Sequence, residues 1–513
     1  MEQDGIAEAA ALLSALNEQG VKLWSENGAL HWRAPRGAIS PGQLELCKRL
    51  KTQLVASLST QNRSINRDAI KEATQRSYSA PLSYQQEWAF NSWMASGEHA
   101  VTRVAFRLHG PLNVEALRTA VDRVIERNES LRTRVVSVEH IWTQQVDIYK
   151  GGALKLISAI DEGDAEALVS AFSDLSIDMT AGPTFRAVLV TLHDRDHTLV
   201  IALHHLFIDG VAWNILINEL WVLYRAIVED RQPSLSKVRL QYPDYALFQR
   251  SPHIQHRIAR AKTYWEKALD GAVPVKLPTD FGLESIREFN HAQVPVTFGS
   301  ELTAGLERLA RGEKTTLATV LLASFVGTLS QWSSQRDFVI PFVVSGRGDS
   351  EEMEVLGYLT HFIPLRFRLT GNERFVDLLN LVTTEYIEAC SNLDFGLAIS
   401  ERPTLFEGVA LQWMPWGYSK VGSSASCEWG SPETGLAVEM YPLPWMPQPP
   451  EARLMRDVDW ELCKTESGVG GFCWYRSDRF TQETISHLMQ NLRLGLERAV
   501  TDPCSQVLYR AAE

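Results

Sequence analysis

The chain has 513 residues, 45% of them hydrophobic and 22% charged, with a formal net charge of −12. That length accommodates two or three domains with substantial cores, and the composition is that of an ordinary globular protein. The acidic balance argues against a nucleic-acid binder, whose contact surface must neutralise phosphates.

The first twenty residues begin with Glu2 and Asp4 and lack a basic stretch leading into an apolar one. No run approaches the ~18 apolar residues of a membrane span, so a cytoplasmic protein with no membrane partner is expected. Cys47, Cys390, Cys427, Cys463, Cys473 and Cys504 are scattered without zinc or redox spacing. Reduced buried thiols and no metal site follow from that pattern.

Residues 1–60 read as a separate unit. Ile6 to Leu16 is helical in pattern, and Val21 to Ser25 and Leu30 to Arg33 are two short strands joined at Asn27-Gly28, which suits a tight hairpin turn. Ser40-Pro41-Gly42-Gln43 has the form of a capping box with Pro at the first helical position, opening a helix through Leu44, Cys47, Leu50, Leu54 and Leu58. From Lys22 to Leu54 the unit carries Lys22, Arg33, Arg36, Lys48, Arg49 and Lys51 against only Glu26 and Glu45. This is either a solvated charged face or a docking surface whose hairpin edge accepts an extended acidic partner. Residues 61–80 are polar and read as a linker.

Asn113 to Asn128 carries Val114, Leu117, Val121 and Val124 on one helical face, and Leu131 to Val136 is strand-like. Thr198 to Leu203 reads as a buried strand and Val211 to Val228 as a helix. Between them lies His204-His205-Leu206-Phe207-Ile208-Asp209-Gly210. Strand alternation puts His205 on the face of Ile201 and Leu203, with His204 pointing the other way. Two structural histidines, a metal site and a catalytic base are the available readings. The metal reading lacks a third ligand at suitable spacing. The catalytic reading needs a base nitrogen, a carboxylate that orders the turn and a Gly that keeps the approach open, and the segment contains all three.

Beyond a helical stretch through Trp265, Pro274 to Asp280 reads as a crossing segment. A second αβ pattern follows, with helices over Leu302 to Leu309 and Thr316 to Leu329 and strands over Asp337 to Val344 and Leu405 to Trp413. Five prolines between Pro442 and Pro450 exclude a regular element from residues 416–450, which suit a crossover between lobes. Glu451 to Trp474 resumes strand alternation, and Thr481 to Val500 is an amphipathic helix.

The His204 to Gly210 stretch resembles the HHxxxDG signature of condensation domains from nonribosomal peptide synthetases, relatives of chloramphenicol acetyltransferase. Pro81 to Trp88, Arg127 to Thr133, Tyr242 to Ala246 and Gly357 to Arg366 resemble further motifs of that family, in the right order. The N-terminal unit resembles the β-hairpin docking domains of synthetase subunits, notably in Gly20 to Trp24 and Arg33 to Gly37. The resemblance implies an α/β (α+β) fold of two acetyltransferase-like lobes in a V-shaped pseudo-dimer, with residues 81–270 and 271–513 as the lobes and the docking unit in front.

It also implies acyl transfer from a carrier-protein thioester, with His205 as base and Gly210 leaving room for the donor's pantetheine arm. His204, Asp209 and a cation paired with Asp209 would be architectural; Arg132 is the first candidate for that cation and Arg186 the second. An upstream acyl or peptidyl carrier protein would dock through its C-terminal linear segment on Lys22, Trp24, Arg33, Arg36, Lys48 and Arg49, and would bring the phosphopantetheine. The chain itself needs no cofactor or metal.

Departures from the family pattern cluster on the acceptor side. Glu87 stands near the usual Arg, Asn128 at the usual His and His361 at the usual Asn, while Cys390 to Gly396 matches its motif poorly. These changes, and the lack of adenylation and carrier sequences, lead to the expectation of release onto a free small-molecule acceptor, as an ester or an amide. An epimerisation domain, a coenzyme-A-dependent acyltransferase and a non-catalytic docking scaffold are the rival classes.

Overall fold

The structure is a computed structural model and describes residues 21–26, 29–33, 40–51, 77–96, 100–173, 176–282, 291–348, 350–394, 403–406, 408–414, 435–441, 456–465 and 467–507, with Leu12, Leu16 and Leu54. The Asn27-Gly28 turn, Arg36, Cys427 and most of the helix expected over Ile6 to Leu16 lie outside the described residues, as does most of the linker. In the N-terminal unit β1 (Lys22–Glu26) pairs antiparallel with β2 (Ala29–Arg33), Lys22 opposite Arg33. The helix Pro41–Arg49 follows. Its capping box is reciprocal: Gln43 N–H donates to Ser40 Oγ at 3.2 Å and Ser40 N–H to Gln43 Oε1 at 2.9 Å.

The first lobe begins with β3 (Tyr78–Pro81), the helix Tyr84–Ser96, β4 (Val101–His109) and the helix Val114–Arg127. A 3₁₀ turn at Glu129–Arg132 then leads into β5 (Thr133–Val138), β6 (Ile141–Val146) and β7 (Leu154–Ser158). Arg132 therefore sits in a turn and not in the strand expected from Leu131; the extended backbone of Asn128 ends the helix, and Leu131 N–H bonds back to Asn128 O. After the helix Glu162–Ser173 come β8 (Phe185–His193), the fully buried β9 (Asp196–His204) and the helix Gly210–Val228.

The second lobe holds β10 (His291–Phe298), β11 (Asp337–Val344), β12 (His361–Arg368), β13 (Gly408–Met414), β15 (Arg456–Thr465) and β16 (Gly468–Arg476), in the order β10-β16-β15-β13-β11-β12. The helices Gly299–Gly312, Leu317–Ser333, Phe375–Cys390 and Gln482–Thr501 cover one face of it, with Phe325 edge-on to Trp460 at 4.8 Å in the core.

The strand β14 (Ala437–Met440) lies between β13 and β15 in the chain but pairs with β4, completing the first-lobe sheet β14-β4-β9-β8-β7. This corrects the expectation that residues 416–450 contain no regular element. Four residues suffice because β4 supplies the edge against which their backbone groups pair.

The first-lobe sheet is covered on both faces. Phe106, Ile201 and Leu203 pack on Leu117, Val121, Leu216 and Trp221 from the helices Val114–Arg127 and Gly210–Val228. Val188, Val190 and Val200 pack on Val169 of the helix Glu162–Ser173. Coverage on both faces is why β9 reads as a near-continuous apolar run.

Gly210–Val228 is long and apolar enough to cross a membrane by length and composition, contrary to the expectation that no stretch approaches that size. Its Leu216, Ile217, Leu220, Trp221 and Tyr224 are buried in the first-lobe core. Cys47, Cys390, Cys463 and Cys473 are buried and unbridged, whereas Cys504 is exposed.

Candidate active site

The strand β9 runs one residue past the Leu203 end read from the sequence but stops short of His205, which strand alternation had placed on its face. His204 is its last residue, and His205 opens a 3₁₀ turn, His205–Phe207, before the helix at Gly210. His204 is fully buried, and its Nδ1 accepts the Leu206 N–H at 3.2 Å, which makes it a cap for that turn. His205 N–H donates to Ala100 O, and its Nδ1 lies 2.7 Å from Ile208 O. A carbonyl only accepts, so Nδ1 carries the proton and Nε2 the lone pair. Burial lowers the pKa of His205 below the ordinary 6.5, against the pull of the neighbouring Asp209 charge. The edge of the imidazole meets the Tyr358 ring at 5.4 Å between centroids.

Asp209 is held in place by four donors. Its Oδ1 accepts the Ala212 N–H at 2.9 Å, capping the helix Gly210–Val228. Its Oδ2 accepts from Arg347 Nη1 at 2.6 Å, Leu359 N–H at 2.9 Å and Thr360 Oγ1 at 3.3 Å. Arg347 and Asp209 expose 0% and 1% of their side chains, so each ion depends on the other for compensation.

The cation is thus Arg347, from the second lobe, and neither Arg132 nor Arg186. Arg132 is engaged elsewhere, Nη1 donating to Asp147 O at 2.7 Å and Nη2 to Glu129 Oε1 at 3.4 Å. Its turn buries Glu129, which needs that charge more directly. Arg186 sits on β8 opposite Ala202.

Arg347 reaches the turn because the second-lobe backbone folds back tightly. Gly346 has φ +66°, and a Cβ there would stand 1.9 Å from Leu359 O. A Cβ on Gly357 would stand 2.2 Å from the Tyr242 ring. Tyr242 donates its hydroxyl to Tyr358 O at 2.5 Å and meets Ser83 Oγ at 2.7 Å. Gln86 holds the histidine turn from another side, Nε2 donating to Leu206 O at 3.1 Å. Gly210 is the first residue of its helix, where the N–H groups of Gly210 and Val211 take no intrahelical acceptor by position.

The departures from the family motifs have partners inside the fold. Gln85 Nε2 lies 2.7 Å from His361 Nε2, while Gln85 Oε1 accepts from Gln249 Nε2 at 3.0 Å. That arrangement makes the Gln85 NH₂ the donor and His361 Nε2 the acceptor. Burial takes the His361 pKa down to about 4, so the ring is neutral at working pH. Glu87 pairs with Arg250 at 2.5 Å, and Asn128 Nδ2 donates to Glu219 Oε2 at 2.7 Å.

In the N-terminal unit Lys22 and Trp24 lie on β1 and Arg33 on β2, while Lys48 and Arg49 are exposed in the last turn of the helix Pro41–Arg49. Sequence reasoning missed Arg347, Tyr358 and Gln86 as site residues. Arg347 carried one usable signal, a Gly-Arg step at the end of a predicted strand.

Two αβ lobes joined by an exchanged strand, with a histidine turn stapled across them, define a two-lobed α/β class whose fold solved condensation domains share. Within that class the chain belongs to the condensation domain family, which residues 76–400 match, and residues 10–59 match the TubC N-terminal docking domain.

Malpibaldin synthetase of Mortierella alpina is 30% identical over 341 residues, covering 62% of this chain and 6% of that one. Bacitracin synthase 2 of Bacillus licheniformis is 25% identical over 386 residues, covering 75% and 14%. The chain thus spans 6 to 14% of the length of the curated relatives it matches. The SgcC5 protein of Streptomyces globisporus shares the fold with a TM-score of 0.66 at 24% identity, over 83% of this chain and 100% of that one. The EpoB cyclization-docking bidomain of Sorangium cellulosum shares it with a TM-score of 0.67 at 18% identity, over 97% and 98%.

Proposed function

We propose that this chain transfers an acyl chain from the phosphopantetheine thioester of an upstream carrier protein to a free hydroxyl acceptor, forming an ester and releasing the chain. The observation that carries the reading is the hydrogen bond of His205: Nδ1–H is committed to Ile208 O, so the lone pair sits on Nε2, in the turn that precedes the helix Gly210–Val228. The acceptor oxygen attacks the thioester carbon while its proton passes to Nε2. The N–H groups of Gly210 and Val211 and the positive end of the helix favour the oxyanion that forms. The C–S bond then breaks, and the proton held on His205 passes to the leaving thiolate.

A hydroxyl gains more from such a base than an amine does, because a neutral amine already presents a nucleophilic lone pair. The SgcC5 structure holds a naphthyl ethanediol, which is in keeping with a hydroxylated acceptor in this fold. The reading also rests on a resemblance to the condensation enzyme that releases the polyketide enacyloxin as an ester of a hydroxylated cyclic carboxylic acid. Amide formation with an amine acceptor uses the same steps. His361, on the acceptor side, would present a neutral ring held by Gln85. The carrier would engage the hairpin unit through Lys22, Trp24, Arg33, Arg36, Lys48 and Arg49.

The test is intact-protein mass spectrometry of an acyl-loaded carrier incubated with the protein and a series of free alcohols and amines, with His205→Ala alongside. Loss of the acyl group only with active protein, and its appearance as an ester, supports the reading. An amide as the sole product moves the assignment to the amine alternative, and retention on the carrier with every acceptor defeats release.

A further inference from the structure

The second-lobe sheet has a polar face that the mechanism above does not use. Val458, Trp460 and Leu462 of β15 point into the core, so Asp459 and Glu461 point out of the opposite face. Gln412 of β13 shares that face, because Val409, Leu411 and Trp413 are the core residues of its strand. Trp474, opposite Asp459 on β16, donates its indole N–H to Glu461 Oε2 at 3.2 Å. Burying carboxylates on a sheet face is costly unless every oxygen is matched.

One oxygen here stands unmatched. Asp459 Oδ2 accepts from Arg456 Nη1 at 2.6 Å and from Gln412 Nε2 at 3.0 Å. Asp459 Oδ1 is buried and has no hydrogen-bond partner among the described residues, in a residue only 9% exposed.

The pair also lies beside a residue that packs against the first lobe. The Arg456 guanidinium stands 4.5 Å over the Phe362 ring, which meets Trp88 of the first lobe at 5.6 Å, so it lies at the lobe junction. Burial pushes the Tyr358 hydroxyl up, and the Arg456 charge partly offsets that push, which places Arg456 within electrostatic reach of the ring that abuts His205.

We propose that Asp459, held by Arg456 and Gln412, is a specificity-determining residue that accepts a hydrogen bond from a hydroxyl of the substrate at the lobe junction. Arg456 already compensates the carboxylate charge, so the open lone pair suits a neutral O–H donor in preference to an ammonium group. The inference rests on the acyl-transfer reading above and deepens it, by naming a hydroxylated substrate. That hydroxyl belongs either to the acceptor, as a second group beyond the one acylated, or to the acyl chain near its thioester.

Two substrate pairs separate the sources. One is 1-phenyl-1,2-ethanediol against 2-phenylethanol as acceptors; the other is 3-hydroxyoctanoyl against octanoyl groups on the carrier. With the wild-type protein, kcat/KM should favour the hydroxylated member of one pair by about 10- to 100-fold, the range for a hydrogen bond to a charged group. In Asp459→Ala that ratio should collapse to about 1. A variant that is merely misfolded lowers both members of a pair alike and leaves the ratio intact.

Saturation-transfer NMR with the two alcohols and with the matching acyl pantetheines reads the same discrimination as binding. The subsite is therefore tested even if no acyl group is transferred, an outcome that defeats the acyl-transfer reading alone. Equal treatment of both members of both pairs by the wild-type protein, or discrimination that survives in Asp459→Ala, overturns the proposal and leaves Asp459 Oδ1 to a trapped water.

Discussion

Replacing Arg347 by Met tests the staple between the lobes. The substitution removes donors to Asp209 Oδ2 at 2.6 Å, Ser345 O at 3.3 Å and Val355 O at 3.1 Å. It leaves Asp209 with Ala212, Leu359 and Thr360 as donors but without a countercharge, in a site that exposes 1% of its side chain. Removing one partner of such a buried pair costs about 3–5 kcal/mol. Urea denaturation should therefore show Arg347→Met destabilised by that amount.

Asp209→Asn removes the charge and retains the shape, so adding it to Arg347→Met should recover part of the loss. The coupling expected from a double-mutant cycle is about 1–3 kcal/mol. The same cycle with Arg132→Met should give coupling below about 0.5 kcal/mol, because Arg132 engages Glu129 and Asp147. A small loss in Arg347→Met, or equal coupling of Asp209 to both arginines, would refute the assignment.

Three further outcomes are expected. His205→Ala should lower kcat/KM by about 10²- to 10⁴-fold with little change in the urea midpoint, and the wild-type acid limb should fall below pH 6.5 because burial lowers the pKa of this base. His361, with its folded pKa at about 4, binds fewer protons than the unfolded chain between that value and 6.5. Stability therefore rises with pH across the window and is lost on acidification by about 3 kcal/mol, a slope that His361→Asn should remove in denaturation at pH 4.5 and 7. Lys48→Glu with Arg49→Glu reverses two exposed charges and should raise KM for an acidic-tailed carrier about tenfold at low salt, less at high salt, while leaving kcat unchanged.

What was legible in the sequence is what local periodicity encodes. The strand at Thr198 to Leu203 and the helix after Gly210 followed from runs whose spacing matches their burial on both sides of the first-lobe sheet. The capping box at Ser40 followed from four consecutive residues. The end of β9 was not local, because His205 leaves the strand to bond Ala100 O, and that contact comes from another strand's approach.

The Arg347 pairing lies 138 residues from Asp209 along the chain, and any buried arginine satisfies the same charge rule. The choice was decided by where Glu129 is buried, which claims Arg132, and by the close passage that Gly346 allows. The strand Ala437–Met440 was hidden for a related reason. Its four residues carry no period of their own, and their pairing is written in β4, far earlier in the chain.

These three failures share a cause: each depends on a contact between the lobes or between distant strands, where composition supplies the need for a partner and only the packed fold supplies the partner. The same logic bears on Asp459. Its sequence neighbourhood is an ordinary alternating strand, and only the folded sheet shows that one of its carboxylate oxygens has no hydrogen-bond partner among the described residues.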